Sequence, residues 1–170
     1  TGADPVLDDM HREAAARGFP IVGPEVGRIL YQLARLSGAQ RIFEMGSGFG
    51  YSTLWFARAL DDAGRIYHTD GDAANTQRAR EYLDRAGLLG RAVFNTGDAC
   101  RILARTPGRF DIVFMDIDKE QYPEGYRVLR DRVKPGGMVL VDNLVWSGRV
   151  AAGEDDPATA GVREYVRLMW

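Results

Sequence analysis

A chain of 170 residues, 45% apolar and 27% charged, has the size and make-up of one soluble domain burying about two-thirds of its unfolded surface. Its net charge of −2, with arginines scattered among acids, provides no basic field to hold a nucleic-acid backbone. The lone Cys100 excludes an internal disulfide and a thiolate zinc site, and no apolar run nears the roughly 20 residues of a membrane span. With no signal peptide legible, a single cytoplasmic domain over residues 1–170 is expected.

Asp4 to Arg17 carries Val6, Leu7, Met10 and Ala14 at helical spacing, and Gly18 can end that helix. Gly23-Pro24 opens a second helix, with Val26, Ile29, Leu30 and Leu33 as the expected inward face and Gly38 as its close. Ile42 and Phe43 form a short buried strand that ends in Glu44 and three alternating glycines, Gly46, Gly48 and Gly50. Leu54, Trp55, Phe56, Ala57 and Leu60 then continue with helical spacing. Strand, glycine turn and helix make the first half of a nucleotide-binding βαβ unit.

The spacing E-x-G-x-G-x-G is neither the dinucleotide fingerprint G-x-G-x-x-G nor a phosphate loop, which would need a following lysine. An acid before the glycines repels a pyrophosphate and suits an ammonium or sulfonium ligand, which points to S-adenosylmethionine. A merely tight strand-to-helix turn is the plainer alternative.

Arg65–Thr69 reads as the second strand, with Asp70-Gly71-Asp72 at its carboxyl end, and a helix follows from about Ala73 to Ala86. Ala92–Asn95 is a short third strand leading to Gly97-Asp98-Ala99, with a helix around Leu103. Asp111–Met115 is a continuous apolar run, as expected of a strand covered on both faces, and ends at Asp116. A helix through Tyr126, Val128 and Leu129 follows. Lys134–Gly137 reads as a turn, Met138–Val141 as the fifth strand ending at Asp142-Asn143, residues 148–157 as loop, and Val162–Met169 as helix. Alternating strands and helices predict an α/β, doubly wound, mostly parallel sheet with helices on both faces.

In such sheets ligands bind outside the carboxyl ends of the strands, where Glu44, Asp70, Asp98, Asp116 and Asp142-Asn143 all fall. Singly, Asp72 and Asp98 read as helix caps. Asp70, 24 positions after Gly46, suits the acid that holds a ribose, whether of an adenosine ligand or of NAD. Asp98 could accept from an adenine amino group. Asp116, Asp142 and Asn143 supply three hard oxygens with no Cys or His nearby, a set for Mg²⁺, Mn²⁺ or Ca²⁺. Lys119, one helical turn past Asp116, could act as general base beside such a cation. Otherwise it is a solvated lysine at a helix start. Trp55, Tyr122 and Trp146 are candidates to stack on an aromatic substrate, or else core.

Phe19–Gly27, Glu44-Met-Gly-Ser-Gly-Phe-Gly-Tyr-Ser-Thr53, Met115–Lys119 with Tyr122, and Val141-Asp-Asn143 together resemble the cation-dependent O-methyltransferases. This is the group of catechol and caffeoyl-CoA enzymes with their small bacterial relatives, and the likeness runs from about Asp4 to Trp170. It implies a Rossmann-like class I methyltransferase fold. It also implies S-adenosylmethionine held by Val22, Glu44, Gly46, Ser47, Gly48, Ser52, Asp70, Asp98, Ala99 and Asp116. Asp116, Asp142 and Asn143 would bind the metal, and Lys119 with Asp116 would serve catalysis on a catechol-like vicinal diol. His68-Thr-Asp70 departs from the family's usual Ile-Glu at the second strand end. The family also continues past the helix ending at Trp170 into an antiparallel strand pair, so a truncated chain, or an edge completed by a partner, is expected. A homodimer follows from that edge and from Val6, Leu7 and Met10, which have no strand of their own to cover. The rival readings are a metal-independent methyltransferase, an NAD dehydrogenase and an inactive, methyltransferase-like binding protein.

Overall fold

A computed structural model describes residues 4–170. Five strands, β1 (Arg41–Met45), β2 (Arg65–Asp70), β3 (Ala92–Thr96), β4 (Phe110–Met115) and β5 (Val133–Val141), form one sheet in the order β3-β2-β1-β4-β5. Every pairing is parallel. The order reverses at β1 and β4, so the crevice beyond their carboxyl ends lies between the glycine turn and Asp116.

Alternation along each strand sends side chains to two cores. Ile42, Ile66, Ile112 and Phe114 pack under α1 (Pro5–Arg17), α2 (Gly23–Leu36), α3 (Tyr51–Ala59) and α4 (Ala73–Arg85). Phe43, Met45, Val113 and Met115 pack under α5 (Ala99–Arg105), α6 (Tyr122–Leu129) and α8 (Pro157–Met169). The run Ile112–Met115 is at most 2% exposed, as a strand covered on both faces should be. Each such large side chain contributes about 1.5–3 kcal/mol on burial.

Helix α1 starts under an Asp4 cap, whose carboxylate accepts from Val6 N and Leu7 N, and stops at Gly18 with φ +61°. Val6, Leu7 and Met10 are buried within this chain, at 8%, 6% and 0% exposure, so they provide no face for a second copy. That half of the case for a homodimer falls.

Three other expectations are corrected. The inward face of α2 is Gly27, Leu30 and Ala34, while Ile29 is 53% exposed. A Cβ at Gly27 would collide with the Trp55 ring, so α2 turns its small residues toward α3 and rotates Ile29 outward. The expected turn at Lys134–Gly137 lies inside β5 as a bulge, since Phe110 pairs with Val133 and Ile112 with Met138. Residues 148–157 hold a short helix, α7 (Arg149–Ala152), beyond which Arg149 pairs with Glu154 at 2.6 Å and Asp156 at 3.0 Å.

Candidate active site

Where β1 ends, the chain turns through Gly46, Gly48 and Gly50 at φ +82°, +52° and +91° before entering α3, a path that L side chains rarely follow. The end of β2 holds this turn. Thr69 O accepts from Gly46 N and Ser47 N, and Thr69 N donates to Ser47 Oγ. Asp70 Oδ2 accepts from Gly48 N at 2.8 Å. Asp70 Oδ1 takes Asp72 N and Asn75 Nδ2 as well, so three of the carboxylate's roughly four acceptor positions are filled.

The turn forms one wall of a cleft of about 740 Å³ lined by residues from every strand end. Val22, Gly46, Ser47, Gly48, Ser52, Asp70, Asp98, Ala99, Asp116, Lys119, Asp142 and Asn143 all line it. Glu44 does not. It is fully buried beneath the turn, with Thr53 donating to Oε2 and Oε1 left unpartnered. Burial pushes its carboxyl up to about 7 against the opposing pull of the Ser52, Thr53 and Ser47 hydroxyls. Asp98 keeps the plainer role too, capping α5 by accepting from Arg101 N at 2.7 Å, while still facing the cleft. Asp72 caps α4 through Ala74 N.

At the β4 and β5 ends, Lys119 is 7% exposed and its Nζ donates to Asp116 Oδ1 at 2.8 Å and Ile117 O at 3.2 Å. Two of its three N–H groups are thereby used and one remains. The rings of Tyr122 and Trp146 flank Nζ at 5.0 and 5.6 Å from their centroids. Asp142 has no side-chain partner, and burial first, then the facing charge of Asp116, raises its carboxyl above the usual range. Among the described residues no group of three His, Cys, Asp or Glu side chains is placed to hold a metal; Asp116, Asp142 and Asn143 line the same cleft, the last with an amide oxygen. Two carboxylates and an amide, one carboxylate lacking a counter-charge of its own, nevertheless fit a hard divalent cation.

The loop after β5 carries the positive-φ non-glycine residues of the described chain, Asn143 (+58°), Trp146 (+47°) and Ser147 (+53°). Such conformations cost about 1–3 kcal/mol each and persist where surrounding structure imposes them. Of the three aromatic candidates only Trp146 lines the cleft. Trp55 packs against Gly27, and Tyr122 is fully buried with its hydroxyl donating to Asp142 O.

Phe19 and Thr69 also line the cleft and were not assigned roles from sequence. Thr69 was legible as the neighbour of Asp70. Phe19 was not, because its contact with Gly48 spans separate elements. Helix α8 buttresses the lysine: a Cβ on Gly161 would clash with the Lys119 carbonyl. Gly161→Ala is therefore expected to cost about 1–3 kcal/mol in urea unfolding through overpacking, and an unchanged midpoint would contradict this contact.

A sequence profile of the O-methyltransferase family matches residues 3–169. A catechol O-methyltransferase from Niastella koreensis is 35% identical over 162 residues, covering 91% of this chain and 73% of that protein. A caffeoyl-CoA O-methyltransferase from Mesembryanthemum crystallinum is 37% identical over 147 residues, covering 83% of this chain, which spans only 56% of that enzyme. Among solved structures, the O-methyltransferase from Bacillus cereus in complex with SAH superposes with a TM-score of 0.91 at 31% identity, covering 98% of this chain and 79% of that one. TomG from Streptomyces achromogenes, an O-methyltransferase involved in tomaymycin synthesis and solved with SAM, gives 0.91 at 32% identity, covering 98% and 78%. With a matching profile, relatives and fold, this chain belongs to the O-methyltransferase family.

Proposed function

We propose that this chain transfers a methyl group from S-adenosylmethionine to one hydroxyl of a small vicinal-diol aromatic acceptor, assisted by a divalent cation such as Mg²⁺. The observation that carries the reading is the single cleft, in which the glycine turn and the Asp116, Lys119, Asp142, Asn143 set share one wall-to-wall space. The SAH and SAM complexes of the Bacillus and Streptomyces proteins support the cofactor. The catechol and caffeoyl-CoA names of the relatives support a phenolic acceptor.

On this reading Gly46, Ser47, Gly48, Ser52 and Val22 receive the methionine part of the cofactor. Asp70 has one acceptor position left for a ribose hydroxyl, while Asp98 and Ala99 border the adenine. Asp116, Asp142 and Asn143 would hold the cation, which when bound supplies charge to stabilise a developing oxyanion and to orient two adjacent oxygens. Lys119, fixed by N–H bonds to Asp116 and Ile117 O, has one position on Nζ left over; in the neutral amine that position is a lone pair, which takes the acceptor proton and returns Nζ to the ammonium form. Trp146 offers its ring as a wall against the acceptor. The methyl then passes in line from sulfonium to hydroxyl oxygen, with the neutral thioether as leaving group. A homodimer is part of the same reading, and light scattering that shows a monomer at micromolar concentration would reject it.

Calorimetric titration of S-adenosylmethionine and of NAD, each with and without Mg²⁺, tests the cofactor assignment. Binding of the first and not the second is expected. Preference for NAD would reverse the reading.

A further inference from the structure

His68 stands on β2, fully buried, against the Phe94 ring at 5.3 Å. Its Nε2 lies 3.1 Å from Gly48 O. A carbonyl only accepts, so Nε2 carries the proton, and Nδ1 is left as a bare acceptor. That Nδ1 is buried without a partner. Packing alone does not explain a histidine here, because a leucine would fill similar space without burying an unpaired nitrogen. Burial also pushes the imidazole down to about 4, so it is neutral at working pH and keeps this tautomer.

Gly48 is thus gripped at both ends of its backbone from one strand. Its N–H goes to Asp70 and its C=O to His68, two positions apart and so on one side of β2. At φ +52°, with the Phe19 ring 2.8 Å from where a Cβ would stand, Gly48 has no side chain of its own to orient it, and those two bonds hold its backbone N–H and C=O.

We infer that His68 is a positioning residue for cofactor binding: its Nε2–H fixes the Gly48 carbonyl and so sets the plane of the peptide that the methionine part of the cofactor lies against. This rests on the cofactor reading above. Without the bond the peptide that carries the Gly48 carbonyl can rotate about the Gly48 ψ bond, while Asp70 still holds the preceding peptide through Gly48 N–H, and the ligand must restore its orientation on binding.

The test compares wild type, His68→Leu and His68→Gln, the last carrying an amide N–H where Nε2–H was. SAH affinity is measured by calorimetry, and KM for S-adenosylmethionine, KM for a catechol acceptor and kcat by turnover. The Leu variant is expected to bind SAH about tenfold more weakly and to raise KM for S-adenosylmethionine equally, with acceptor KM within about twofold, the loss of one hydrogen bond. The Gln variant should recover to within about threefold. A folded Leu variant with wild-type SAH affinity overturns the inference, as does a loss shared by both variants. If neither variant folds, ¹⁵N spectra of the wild-type imidazoles decide, since only His11 and His68 contribute. An Nε2-protonated His68, unchanged from pH 6 to 8 and on adding SAH, supports the bond, and an Nδ1-protonated ring overturns it. Wild type that binds no SAH instead removes the cofactor reading itself.

Discussion

Asp142→Ala is expected to lower methyl transfer by at least about 100-fold while leaving SAH affinity within about twofold. The variant deletes the one carboxylate of the β4–β5 set that has no side-chain partner, leaving Asp116, already shared with Lys119, and the Asn143 amide. Hard cations depend on the number and charge of their oxygens, so the remaining pair should hold Mg²⁺ poorly. The glycine turn and Asp70 are hung on β2 and take no bond from Asp142, so cofactor binding has no reason to change. The fold should also survive, because removing this carboxyl relieves a charge that burial and Asp116 both oppose. Saturation with Mg²⁺ at modest concentration should not restore the variant. A variant with full turnover would reduce Asp142 to a polar strand end.

Gly48→Val is expected to weaken SAH binding by at least about tenfold, and more than His68→Leu does. The residue sits at φ +52°, where a β-branched side chain is strained, and its Cβ would stand 2.8 Å from Phe19 Cε1. Strain and clash both rotate the two peptides flanking Gly48, which Asp70 and His68 fix. The core contacts of β1 and α3 do not involve this position, so cooperative melting should persist. A folded Val variant with unchanged affinity would detach the glycine turn from the cofactor.

Much of this was legible before the structure. The parallel five-stranded sheet followed from Ile42-Phe43, Arg65–Thr69, Ala92–Asn95, Asp111–Met115 and Met138–Val141, because strand periodicity and buried apolar runs are local signals. The strand-end residues converged on one cleft because the doubly wound topology puts all carboxyl ends on one side. Contacts between distant elements were not legible. Ile29 turns outward only because Gly27 meets Trp55, Val6 and Met10 find their cover within the chain, and Gly161 abuts Lys119. Glu44 was assigned to the ligand from charge logic, yet β1 carries it under the turn, where Thr53 holds it. The role of His68 depends on a hydrogen bond across 20 residues, which no pattern along the strand announces.

The most direct measurement is transfer of a labelled methyl group from S-adenosylmethionine to a catechol acceptor, followed in the presence and absence of EDTA with SAH affinity determined in parallel. The predicted result is turnover that EDTA abolishes and Mg²⁺ or Mn²⁺ restores, with SAH affinity the same in both conditions. Full turnover in EDTA would contradict the account and assign the cleft to a metal-independent methyltransferase.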